Sequence, residues 1–112
     1  MGQNILADVS TEFAVSILKL TDGIKGHRSL ANQLERSGTS IGANIREAKY
    51  AHSRPDFIAK LQIALKECSE SEYWLELLIE SGYYEDTTIL EQCIEVKKLL
   101  IASINTAKAN KV

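Results

Sequence analysis

The chain has 112 residues, 45% apolar and 25% charged, with a formal net charge of −2. That is ordinary globular usage in a length that suits one domain with a modest core, and it excludes the strongly basic composition of a bulk nucleic-acid binder. No run approaches the roughly 20 apolar residues of a membrane span. The start Met1-Gly2-Gln3-Asn4 lacks a basic region followed by an apolar one, so a cytoplasmic protein is expected.

The first predicted helix covers residues 4–22. Leu6, Val9, Phe13, Ile17, Leu20 and Ile24 recur at spacings of three and four, which is one face of a helix. Gly23 and Gly26 mark its end. The second covers 29–51, with a 4-3 seam of Leu30, Leu34, Ser37, Ile41, Asn44, Ala48 and Ala51. Several of these are small or polar where leucine is usual. Gly38 and Gly42 lie four apart on one side, and a mid-helix glycine costs about 1 kcal/mol against alanine. A close approach by another helix is the expected compensation.

Ser53-Arg54-Pro55-Asp56 reads as a helix start, with Ser53 as cap, Pro55 in the first turn and Asp56 complementing the dipole. The third helix is predicted over 54–81, with a seam of Ile58, Leu61, Leu65, Cys68, Glu72, Leu75 and Ile79 and a stop at Gly82. The fourth is predicted over 87–109, capped by Asp86. Its seam is Ile89, Cys93, Val96, Leu100, Ser103 and Ala107, with a second apolar row of Leu90, Ile94, Ile101 and Ile104. No segment alternates with period two. Four helices of about 30 Å joined by short links give an all-α, antiparallel up-down-up-down four-helix bundle, one domain over 1–112.

Little in this pattern is catalytic. A di-iron bundle needs Glu-x-x-His pairs facing inward, whereas His27 and His52 both fall near helix ends. No phosphate loop, nucleophile elbow or Cys/His pair with ligand spacing occurs. The chain is therefore expected to be no enzyme, with no metal, no cofactor and no small-molecule substrate. Pairing the last two helices symmetrically about their turn puts Cys68 beside the Leu100 layer and Cys93 beside the Leu75 layer. Those layers lie about two turns apart, too far for a disulfide. Glu72 takes a core position, where antiparallel pairing sets it near Leu34 and Ser37. An ion pair or hydrogen bond from Arg36 or Gln33 that fixes register is the favoured reading there.

Two surface features point to partners. Ile63, Tyr73, Trp74 and Leu77 point away from the third helix's seam, and surplus apolar surface with aromatics marks an interface, so self-association is expected. The charge is also segregated. Residues 25–66 hold eight Lys/Arg against three Asp/Glu, while residues 67–95 hold nine Asp/Glu and no Lys/Arg. In an up-down bundle Arg46, Lys49, Arg54, Lys60, Lys108 and Lys111 share one pole, the candidate nucleic-acid surface.

The stretch from Gln33 to Ala48, with Arg36-Ser37, Ser40-Ile41, Asn44-Ile45 and Glu47, resembles the central signature of the bacterial four-helix-bundle family encoded in 23S rRNA intervening sequences. Its members are often labelled S23 ribosomal protein. Asp56-Phe57-Ile58, Ala64-Leu65-Lys66-Glu67 and Tyr73-Trp74-Leu75 resemble its third-helix pattern. The resemblance covers nearly the whole chain. It implies a homopentameric ring, kinship with the accessory protein of diversity-generating retroelements, no enzymatic activity, and a structural role for Arg36, Ser40, Asn44 and Glu47. The combined reading is a non-enzymatic homo-oligomer that serves as an RNA- or nucleoprotein-associated binding module. The alternative is a protein-interaction scaffold that does not touch nucleic acid.

Overall fold

The computed structural model describes residues 2–110, with side chains described from Ile5 onward. Four helices run in order: α1 (Gly2–Gly23), α2 (Arg28–Lys49), α3 (Arg54–Glu80) and α4 (Thr88–Ala109). Each packs against its neighbour in sequence, and α1 closes the square against α4. The body measures 50 × 20 × 18 Å. Short connections leave each helix antiparallel to the last, as the all-α bundle reading expects. Among the described residues there is no strand, and no helix is long and apolar enough to cross a membrane.

The first face to form is apolar. Leu6, Phe13, Ile17 and Leu20 of α1 are buried against Leu34, Ile41, Ile45 and Ala48 of α2. A methyl group placed on Gly38 would stand 2.9 Å from Ile17 Cγ1, so glycine here admits a β-branched side chain from α1. Gly42 does not repeat that contact. Its nearest neighbour would be Ser10 Oγ at 3.6 Å, an ordinary van der Waals distance. The expected close approach thus belongs to one glycine of the pair.

The third helix is rolled by one position relative to the seam expected from its sequence. Its buried line is Leu61, Ala64, Cys68, Ser71, Leu75 and Leu78. Ser71, not Glu72, takes the polar core position, and its hydroxyl lies 2.7 Å from that of Ser37. Each serine also donates to a carbonyl in its own helix, Ser37 to Leu34 and Ser71 to Glu67, so both buried hydroxyls are satisfied. Glu72 is turned instead toward α4, where Lys97 donates to it at 2.8 Å. That hydrogen bond raises the lysine's pKa. The ion pair foreseen for Glu72 exists, but with a different helix.

Register between α3 and α4 differs as well. Cys68 and Cys93 sit side by side in the core, Sγ to Sγ 3.8 Å, and each thiol also reaches the other's backbone carbonyl, at 3.4 and 3.5 Å. The two-turn separation read from the sequence is therefore wrong. It assumed a symmetric hairpin, whereas Ser81–Thr87 is a seven-residue connection that lets α4 start alongside α3 rather than beyond its end. Both cysteines are free and buried. The contact between the two thiols draws the Cys68 pKa down and, together with burial, pushes that of Cys93 up.

The start of α3 follows the expected chemistry. Ser53 Oγ accepts from the Asp56 amide at 3.2 Å, with Pro55 in the first turn. At α4 the N-cap is Thr87 rather than the expected Asp86, which sits one position earlier and accepts from the Thr88 amide at 2.9 Å; its bonds from Thr88 hold its carboxyl below the ordinary value. At the α1–α2 turn His27 adopts φ 44°, a left-handed conformation uncommon for a residue with a side chain. Its ring nitrogen lies 2.7 Å from the Tyr83 hydroxyl, which ties this turn to the α3–α4 connection.

Candidate nucleic-acid interface

The end of the bundle opposite that clip gathers the C-termini of α2 and α4 and the N-termini of α1 and α3. Arg46 and Lys49 come from the last turn of α2, Arg54 and Lys60 from the start of α3, and Lys108 from the last turn of α4. Five of the six cations expected to share a pole are therefore together, and Lys111 lies outside the described residues. Arg54 donates to the backbone carbonyl of Asn110, which fastens α3 to the end of α4. Lys60 pairs with Glu47 at 3.1 Å. Among the described residues, Arg46, Lys49, Arg54 and Lys108 meet no carboxylate within ion-pair distance.

One residue here was not singled out from the sequence. Tyr50 caps α2 and is 72% exposed, the most exposed large apolar side chain among the described residues. The Lys49 ammonium stands 5.8 Å from the centre of its ring. Arg46, Glu47, Tyr50, His52, Asp56 and Lys60 line an open groove of about 490 Å³. Tyr50 falls between the last two residues of the expected α2 seam, Ala48 and Ala51, and off their line, so periodicity does not mark it.

The opposite end carries the acidic half of α3 and the start of α4, but Lys25 of the α1–α2 turn and Arg28 at the start of α2 share it. The segregation is consequently less complete than a strip-by-strip count suggests. The expected interface residues divide too. Ile63, Tyr73 and Leu77 are exposed on α3. Trp74 is not: it packs partly buried against the core, its ring centre 5.3 Å from that of Tyr73. The roll of α3 explains this, because Trp74 lies one and two turns from Glu70 and Glu67, on the flank that faces α2. Its indole N–H is buried without a partner among the described residues.

The profile of the family described as 23S rRNA-intervening sequence protein matches residues 3–102. The chain belongs to that family. A solved relative agrees: the crystal structure of a Bacteroides thetaiotaomicron protein of unknown function, from the S23 ribosomal protein family, superposes with a TM-score of 0.88. The two are 49% identical over 94% of this chain and 99% of that one. No curated protein matches.

The signature residues line the flank of α2 that meets α3. Arg36 reaches Glu67 at 3.2 Å and Glu70 at 2.7 Å. Ser37 meets Ser71, and Glu47 meets Lys60. Ser40 donates to the Arg36 carbonyl and Asn44 to the Ser40 carbonyl, bonds internal to α2. Arg36, Ser37 and Glu47 thus join two helices, and Ser40 and Asn44 brace one.

Proposed function

We propose that this protein is a non-enzymatic homo-oligomer, pentameric as the family resemblance implies, that holds RNA or a nucleoprotein at its basic end. The observation that carries the reading is the cluster of Arg46, Lys49, Arg54 and Lys108 from three helices without intramolecular carboxylate partners. Cations that folding leaves without counter-charges are available to neutralise phosphates. The net charge of −2 keeps that attraction local to one end. Exposed Ile63, Tyr73 and Leu77 on α3 support self-association, since they form apolar surface that the monomer does not bury.

The test is fluorescence anisotropy of a structured rRNA fragment titrated at low and at moderate salt. Saturable binding that weakens steeply with salt, and that Arg46→Glu with Lys49→Glu abolishes, supports the reading. Absence of binding at low salt refutes the nucleic-acid part and leaves a protein-interaction scaffold. Light scattering decides the other part independently: a stable monomer at micromolar concentration removes the oligomer.

A further inference from the structure

We propose that Tyr50 is a stacking platform for an unpaired nucleotide, so that the basic end selects single-stranded nucleic acid over duplex. This rests on the reading that the basic end binds nucleic acid and adds what kind.

Tyr50 is positioned, not loose. Its amide donates to the Glu47 carbonyl at 3.1 Å, and the next amide, of Ala51, donates to Ala48 at 3.1 Å, so the backbone that carries the ring is fixed by the helix end. The ring is nevertheless mostly in water. An aromatic side chain buries on the order of 150–250 Å² when it finds a partner, and among the described residues none covers this one. The groove beside it is lined by Arg46, His52 and Lys60 as well as two carboxylates. Both carboxylates are engaged: Glu47 with Lys60, and Asp56 with the His52 amide at 3.3 Å. What remains for a ligand is a π-face with Lys49 above it and Arg46 one helical turn behind.

That combination matches an unpaired nucleotide in two respects. The base offers a flat face of its own, and stacking on an aromatic ring tolerates any base. Its phosphates meet the cations that flank the ring. A duplex satisfies only the second, because its bases are stacked on each other inside the helix.

The experiment measures anisotropy of labelled, unstructured single-stranded RNA, single-stranded DNA and a blunt duplex of equal length. The proteins are the full chain and its Tyr50→Ala, Tyr50→Phe and Lys49→Glu variants, with circular dichroism to confirm folding. The expected result is a preference of the intact protein for single strands. Tyr50→Ala should lose roughly 5- to 100-fold in single-strand affinity, Tyr50→Phe should retain it, and duplex binding should not change with either. The tighter of the two single strands names the source. If Tyr50→Ala binds single strands as the intact protein does while Lys49→Glu weakens them, stacking is overturned and the basic-end reading survives. If the intact protein prefers duplex, stacking is again overturned. If it binds none of the three, both readings fall together.

Discussion

The two flanks of α2 join the bundle by different physics. Toward α1 the contact is shape: Gly38 removes its side chain so that buried Ile17 can sit against the helix backbone. Toward α3 it is polar: the Ser37–Ser71 pair is buried, and the Arg36 and Glu47 ion pairs lie at the surface. A shape contact fails when any atom is added. A polar contact fails when one partner is removed, and by an amount set by burial. The same helix therefore offers opposite sensitivities a few residues apart.

Gly38→Ala should show the largest effect. Its new methyl meets Ile17 Cγ1 at 2.9 Å and Cγ2 at 3.1 Å, and the branch at Cβ leaves that side chain little room to turn. Overpacking costs about 1–3 kcal/mol, offset by about 1 kcal/mol of helix propensity. A net loss of up to about 2 kcal/mol in urea denaturation is expected, and a gain in stability would mean that the α1–α2 contact is looser than described. Ser37→Ala comes next. It strands the buried Ser71 hydroxyl on its own helix carbonyl and removes one of a matched pair, for a loss of about 1 kcal/mol. The double change Ser37→Ala with Ser71→Ala should cost less than the sum of the single changes, which a double-mutant cycle reads directly.

Gly42→Ala should go the other way. A methyl there finds Ser10 Oγ at 3.6 Å and nothing closer, so the propensity gain stands with no overpacking against it. Stabilisation of about 0.5–1 kcal/mol is expected. Opposite signs at Gly38 and Gly42 would establish that the face toward α1 is set at one point. A loss at both would extend the close contact along the helix.

These two glycines also mark the limit of what the residue pattern reveals. Periods of three and four located all four helices to within about two residues, because burial of an apolar stripe dominates helix packing. The pattern could not rank Gly38 above Gly42, since which glycine faces a bulky residue depends on the axial offset between helices. It also missed the roll of α3. Leu65, Glu72 and Ile79 fit a heptad as well as Ala64, Ser71 and Leu78 do, and small residues give a weak hydrophobic signal even when fully buried. From that one-position error came the misplaced partner of Glu72 and the outward Trp74. The cysteine separation failed for a different reason, the offset that a long α3–α4 connection permits. The basic end was legible because it follows from topology alone: once helices alternate, residues near alternate ends must meet. Tyr50 was overlooked because a residue outside every seam has no periodicity to reveal it.

Arg36 offers the smallest and most discriminating change. Its side chain is half exposed, and it bridges Glu67 and Glu70, which lie three apart on α3. An exposed ion pair contributes about 0.2–1 kcal/mol. Removing the arginine also leaves two carboxylates facing each other across one turn, a further repulsion of a few tenths of a kcal/mol. Arg36→Ala should therefore cost about 0.5–1 kcal/mol at low ionic strength. Most of that difference should disappear at about 1 M salt, where the screening length falls to roughly 3 Å. If the loss instead persists undiminished in high salt, the guanidinium stem is packing on α3 rather than pairing with it. The α3 flank of α2 would then be a shape contact as well, and the contrast between its two sides would vanish.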